Sequence, residues 1–95
     1  MTLDDLYELI QQRKKGLSEV SYTARLLNGD IDRVAQKVGE EAVEVVIASK
    51  NNDKNLLIGE MSDLYYHLLV LMTAKGITFT DISLELERRH DEKTR

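Results

Sequence analysis

Lys37-Val38-Gly39-Glu40-Glu41-Ala42-Val43-Glu44 is followed by an apolar run, a polar break and Gly59-Glu60-Met61-Ser62-Asp63, and these two stretches decide how the chain folds. They carry two carboxylate pairs, Glu41/Glu44 and Glu60/Asp63, each spaced i, i+3. On a helix such a pair lies on one face, one member above the other. Between the stretches stands Asn51-Asn52-Asp53-Lys54, a cluster of turn formers. If two helices fold back there, residues whose numbers add to the same total lie opposite each other. Glu44 with Glu60 and Glu41 with Asp63 share one total, so both pairs fall at one height of an antiparallel hairpin. Four carboxylates then converge across one groove.

Such convergence opposes itself, because like charges a few ångströms apart raise each other's pKa and resist burial. Ala42, Val43, Val45, Val46, Ile47 and Ala48 around Glu44 predict an apolar enclosure that sharpens the conflict. A hard divalent cation resolves it, since carboxylate oxygens are its preferred ligands. The plainer reading is two solvated helix faces carrying ordinary acids. Two matched pairs, level with each other and interrupting apolar sequence, favour the metal.

The rest of the chain is read outward from this hairpin. Asp30 can cap its first helix. Ile31, Val34, Ala35, Val38, Ala42, Val45 and Val46 form that helix's apolar face. Lys37, Glu41 and Glu44 fall on a stripe beside that face, with Glu40 on its outer border. Lys37 to Glu41 can be a plain i, i+4 ion pair, worth little on a surface. Gly39 costs roughly 1 kcal/mol against Ala inside a helix, which a close helix contact or ligand approach would justify.

The second helix of the hairpin runs from about Lys54 to Lys75, with Gly76 as its left-handed cap. It is apolar on most sides, so it needs neighbours all round. One chain of 95 residues offers few, which predicts a homo-oligomer, most simply a twofold dimer. His67 lies one turn beyond Asp63. There it is either a satisfied core histidine or a hydrogen-bonding partner that orients Asp63. Neither His67 nor His90 completes the Glu-x-x-His pairs of a di-iron bundle.

Toward the N-terminus, Thr2 and Asp5 make a capping box for a helix over about Leu3 to Lys15, and Gly16 is a plausible stop. Gly16 to Ser21 reads as a loop. Ser21-Tyr22-Thr23-Ala24-Arg25-Leu26-Leu27 reads as a short helix closed by Asn28-Gly29. From the residues alone, Ser21 and Thr23 are capping hydroxyls rather than contacts, with Arg25, to a phosphate or ribose. Toward the C-terminus, Thr78 or Thr80 caps a helix from Asp81 to about Arg89. Its Ile82, Leu86 and, weakly, Leu84 face inward, and residues 90–95 fray. The sum is an all-α fold. It is a small bundle of four main helices plus a short helical segment, forming one domain over residues 1–95 and completed by dimerisation.

Composition narrows the function. The net charge of −4 argues against a nucleic-acid-coating surface. No apolar run is long enough to span a membrane. The start of the chain has no basic-then-apolar secretory pattern. The absence of cysteine rules out disulfides and thiolate zinc sites, and it suits the cytoplasm. There is no proline, internal repeat or low-complexity segment.

Three strings together carry a resemblance: Ser21 to Leu27, Lys37 to Glu44, and Glu60-Met61-Ser62-Asp63-Leu64-Tyr65-Tyr66-His67-Leu68-Leu69-Val70-Leu71. They strongly resemble the phosphoribosyl-ATP pyrophosphohydrolases of histidine biosynthesis, over roughly Leu3 to His90. The paired signature alone marks only the wider group of all-α, MazG-type nucleoside triphosphate pyrophosphatases. The resemblance implies hydrolysis of the α–β phosphoanhydride of phosphoribosyl-ATP, an ATP-like nucleotide. It implies Mg2+ held by Glu41, Glu44, Glu60 and Asp63, and substrate contact near Lys37. Two ions about 4 Å apart would be a normal arrangement. In this reading Glu41 or Glu44 accepts a water's proton, with Glu40 in reserve. Lys37 and Arg25 hold phosphate charge, Ser21 and Thr23 touch substrate, and His67 orients Asp63. Two competing readings are a house-cleaning nucleoside triphosphate pyrophosphatase and a non-catalytic helical dimerisation module.

Overall fold

The computed structural model describes residues 1–14 and 21–93. Five helices follow in order: α1 (Leu3–Lys14), α2 (Tyr22–Leu27), α3 (Ile31–Ala48), α4 (Lys54–Lys75) and α5 (Phe79–Lys93). The described residues contain no strand. The loop expected over Gly16 to Ser21, apart from Ser21 itself, lies outside the described residues, as does Lys15.

Local chemistry accounts for most helix ends. At α1 the Thr2 N–H donates to Asp5 Oδ2 at 2.9 Å and the Asp5 N–H to Thr2 Oγ1 at 3.1 Å. This reciprocal box satisfies donors that a helix start leaves unpaired. Asp30 accepts the Asp32 N–H at 2.9 Å and Asp53 the Leu56 N–H at 3.1 Å, capping α3 and α4. Gly76 ends α4 at φ 70, a left-handed geometry that glycine adopts without a Cβ clash. The Ile77 N–H then donates back to the Met72 carbonyl at 2.8 Å.

The α3–α4 hairpin is the frame, and α1 and α2 pack across it. Ile10, Leu26, Val34, Leu69 and Val70 form the buried core, with Leu6, Tyr7, Leu27, Tyr66 and Met72 against it. Removing the side chain of fully buried Ile10 beyond Cβ would cost about 2–5 kcal/mol. Buried Thr73 has its hydroxyl paired with Gln11 Nε2 at 2.8 Å, and its carbonyl accepts from Lys14 Nζ at 3.2 Å, which ties α1 to α4.

Three expectations change. The C-terminal helix starts at Phe79, two residues early, because Thr78 and Asp81 form its capping box. It also continues through residues 90–93, where fraying was expected. Arg88 holds this last part by bonding Glu85 on one side and Glu92 on the other. Finally, Ile82, Leu84 and Leu86 face solvent rather than the core, at 45%, 65% and 55% exposure. Among the described residues α5 is anchored only at its root, where the Tyr7 and Phe79 rings lie 4.9 Å apart and Tyr7 Oη donates to the Ile77 carbonyl. The projecting helix helps raise the radius of gyration to 15.1 Å, against about 12 Å for a compact chain of this length.

The apolar face expected for α3 is likewise only partly covered. Val34 is buried and Val38, Ala42 and Val45 are half-buried, but Ile31, Ala35 and Val46 are exposed. Among the described residues, nothing outside its own stretch of helix backbone lies within 4 Å of where a Gly39 Cβ would stand, so no helix contact among them calls for that glycine.

Candidate metal centre

The turn after Ala48 folds α4 back along α3, and oxygens of Glu41, Glu60 and Asp63 then lie within 4.8 Å of one another. Glu41 comes from one helix and the other two from its neighbour. Glu41 and Glu60 are half-buried and Asp63 is exposed. Oxygens on opposite sides of a Mg2+ ion stand about 4.2 Å apart. A small side-chain shift therefore brings these three groups onto one hard cation. The donor set is all carboxylate oxygen, as such a cation prefers.

Glu60 is where the crowding is felt. Its carboxyl is pushed above the usual range, first by desolvation and then by the negative charges of Glu44, Asp63 and Glu41. The crowding thus falls on Glu60, whereas the sequence pointed to an apolar enclosure around Glu44. Glu44 is exposed and stands outside the group of three, although its charge reaches Glu60. The apolar enclosure expected for it does not form among the described residues, where Val43, Val46 and Ile47 are each more than half exposed. Successive helical residues point about 100° apart, so neighbours in sequence do not surround one another.

Lys37 sits one turn before Glu41 on α3. Its Nζ lies 3.4 Å from Glu40 Oε2 and 3.7 Å from Glu41 Oε1. The hydrogen bond to Glu40 is the main influence raising the ammonium pKa, against partial desolvation, with smaller contributions from the charges of Glu40, Tyr22 and Glu41. Glu40 also accepts from Gln36 Nε2 at 2.9 Å, and this bond and the one to Lys37 hold its carboxyl below the usual range. Glu40 is therefore engaged along its own helix and is not among the three converging acids.

His67 does not reach the Asp63 carboxylate. Its Nδ1 lies 2.9 Å from the Asp63 backbone carbonyl, one helical turn back. A carbonyl only accepts, so in the neutral ring Nδ1 carries the proton and Nε2 can accept from Tyr22 Oη at 3.4 Å. The ring is buried with both nitrogens partnered, as a core histidine is. Tyr66 stacks edge-on against it at 4.9 Å and pairs its hydroxyl with that of Thr23. Burial is the main influence raising the Tyr66 phenol pKa. The Tyr22–His67–Tyr66–Thr23 network was not foreseen. Its only trace in the sequence is three aromatic groups with polar tips amid apolar residues.

The remaining expected contacts are distributed unevenly. Ser21 Oγ accepts the Ala24 N–H at 3.0 Å and so caps α2. Thr23 is engaged with Tyr66. Arg25 is exposed and lines a separate cavity between α2 and the start of α3.

Residues 3–90 match the family model for phosphoribosyl-ATP pyrophosphohydrolase. A phosphoribosyl-ATP pyrophosphatase of Leptospira biflexa is 52% identical over 85 residues, covering 90% of this chain and 92% of that protein. One from Listeria welshimeri is 49% identical over 87 residues, covering 92% and 84%. A histidine biosynthesis bifunctional protein of Caldanaerobacter subterraneus is 54% identical over 88 residues, which span 93% of this chain but 43% of that longer protein. With nearly the whole chain matched and about half its residues shared, the protein belongs to the phosphoribosyl-ATP pyrophosphohydrolase family and is a hydrolase.

Proposed function

We propose that the protein hydrolyses the α–β phosphoanhydride of phosphoribosyl-ATP to phosphoribosyl-AMP and pyrophosphate, the second step of histidine biosynthesis. The observation that carries this is the convergence of Glu41, Glu60 and Asp63 from two facing helices, in a chain of this family. Glu41, Glu44, Glu60 and Asp63 would hold Mg2+, with Glu44 at the rim. The bound cation would neutralise phosphate charge and lower the pKa of a coordinated water. Glu41 or Glu44 would accept the water's proton, both lying beside the groove where phosphates must come. Lys37, directed onto Glu40 and Glu41, needs little motion to hold a phosphate oxygen instead. The protein's part is positioning and charge neutralisation, as in phosphoryl transfer generally.

The active species would be a homodimer in the cytoplasm. Support for the dimer lies in the apolar surface this chain leaves open. A cavity of about 280 Å3 is lined by Leu3, Tyr65, Leu68, Leu69, Met72, Phe79 and Ile82, and Val43, Val46, Ile47, Leu56 and Ile58 lie exposed on the hairpin. Among the described residues no helix is long and apolar enough to cross a membrane. The decisive test is pyrophosphate release from phosphoribosyl-ATP, ATP and dUTP, with and without Mg2+. Strong preference for phosphoribosyl-ATP with a Mg2+ requirement is the expected result. Equal turnover of all three would favour a house-cleaning role, and no release at all would leave a dimerisation module.

A further inference from the structure

We infer that the cavity between α2 and the start of α3 holds the phosphate of the substrate's second ribose, with Arg33 and Arg25 as its counter-charges. The inference rests on the phosphoribosyl-ATP reading above and names the part of the molecule that tells this substrate from ATP. The cavity measures about 320 Å3 and is lined by Tyr22, Arg25, Leu26, Gly29, Asp30 and Arg33. That is room for a sugar phosphate, at the lower end of ordinary ligand sites.

The two arginines on its wall form no ion pair among the described residues, whereas Arg88 and Arg89 both bind Glu85. The one carboxylate on the wall, Asp30, is turned onto the Asp32 N–H as the cap of α3. Gly29 keeps the α2–α3 turn tight. A Cβ there would stand 2.9 Å from the Arg25 carbonyl oxygen, so a larger residue would shift the segment that presents that arginine.

The cavity is also in register with the carboxylate centre. Arg33, Lys37 and Glu41 follow at i, i+4 and i+8 on one face of α3, so Arg33 lies about 12 Å along the helix from Glu41. Tyr22 bridges the two sites. It lines the cavity, and its hydroxyl reaches His67, which holds the Asp63 carbonyl. Phosphoribosyl-ATP is anionic at both ends, with a triphosphate on one ribose and a monophosphate on the other, and the purine between them. A triphosphate at the carboxylates places the monophosphate well away from them, where it needs separate cations. Guanidinium groups suit it, because their planar fork can bond two phosphate oxygens at once. ATP lacks this second phosphate.

The test compares Arg33→Ala with the parent in two assays. In the first, KM for phosphoribosyl-ATP is set beside the Ki of ATP as a competitive inhibitor. The variant should raise KM about 10- to 100-fold, the scale of losing one or two charge-assisted hydrogen bonds. The Ki of ATP should stay within about twofold, and Arg33→Lys should restore only part of the loss, since it returns charge without the fork. In the second, ribose 5-phosphate is titrated into Mg2+-free protein while the amide resonances of Gly29, Asp30 and Arg33 are followed. Saturable shifts there should vanish in Arg33→Ala and persist in Glu60→Gln. Equal losses for phosphoribosyl-ATP and ATP, or ribose 5-phosphate shifts centred elsewhere, would overturn the assignment. If the parent releases no pyrophosphate from phosphoribosyl-ATP yet ribose 5-phosphate saturates this cavity, the proposed reaction falls and the sugar-phosphate site stands.

Discussion

Two clusters of charged residues on helices have similar sequence spacing and opposite electrostatics. On α3 and α4, Glu41, Glu60 and Asp63 face one another, and the nearest cation, Lys37, is shared with Glu40. On α5, Glu85 accepts from Arg88 at 2.7 Å and Arg89 at 2.7 Å, and Arg88 also bonds Glu92 at 2.6 Å. The Glu60 carboxyl is pushed up by desolvation and like charge, whereas these arginine hydrogen bonds pull Glu85 down to about 2. An acid three residues from another charge is therefore not a site in itself. What matters is the partner across the groove. A second helix brings only more acids to Glu60, while Glu85 finds its cations one turn away on its own exposed helix. The first arrangement is unfavourable until a cation arrives, and the second is already neutralised.

The sharpest way to break the comparison is to neutralise one acid in each cluster. Glu60→Gln should lower Mg2+-dependent pyrophosphate release by orders of magnitude, and Glu44→Gln should follow it. Without metal, both variants should melt no lower than the parent, because repulsion is relieved. Glu85→Gln and Glu87→Gln should leave turnover unchanged. If Glu60→Gln behaves like Glu87→Gln, the carboxylate centre is misassigned.

Titration with Mg2+ sharpens the same contrast. At a hundredfold excess over Kd a folded-state ligand adds about 2.7 kcal/mol, on the order of 10 °C in Tm for a domain of this size. The parent should show such a rise in calorimetry, and Glu60→Gln should show little of it. No Mg2+ response in the parent would count against metal binding.

Lys37→Ala comes next. It removes the only cation that the described residues place against the acidic centre, yet the ion pairs it breaks lie near the surface and hold little stability. Turnover should fall clearly while the melting temperature barely moves. Unchanged kcat/KM would mark Lys37 as a surface ion pair and nothing more.

The smallest effect belongs to α5. A carboxyl depressed in the folded state contributes stability above its unfolded pKa and loses it as pH falls through the folded value. For Glu85 that window runs from about 4.5 down to about 2. Helicity of α5, followed by hydrogen exchange or circular dichroism, should decline across it in the parent. Glu85→Gln should lack that component. Solvent exposure keeps the effect small.

Much of this was readable from local chemistry. Thr2 with Asp5, Asp30, and Gly76 mark helix ends through contacts within a few residues, and such contacts are written in the chain itself. Helical periodicity and the turn at Asn51–Asp53 were enough to bring Glu41 level with Asp63. The C-terminal helix was harder to read. Its apolar Ile82, Leu84 and Leu86 suggested an inward face, but among the described residues all three stay exposed, and of them only Ile82 borders the apolar cavity beside α1 and α4.

By itself the sequence determined the all-α class, the hairpin and three of the four acids expected to meet across it, Glu41, Glu60 and Asp63, because caps, periodicity and turn residues act over one or two helical turns. Only the tertiary structure decided which acid bears the crowding, which oxygen His67 finds, and that Arg33 joins Arg25 around one cavity. Those outcomes depend on side chains from different helices, whose distances and desolvation are set by packing and not by spacing along the chain.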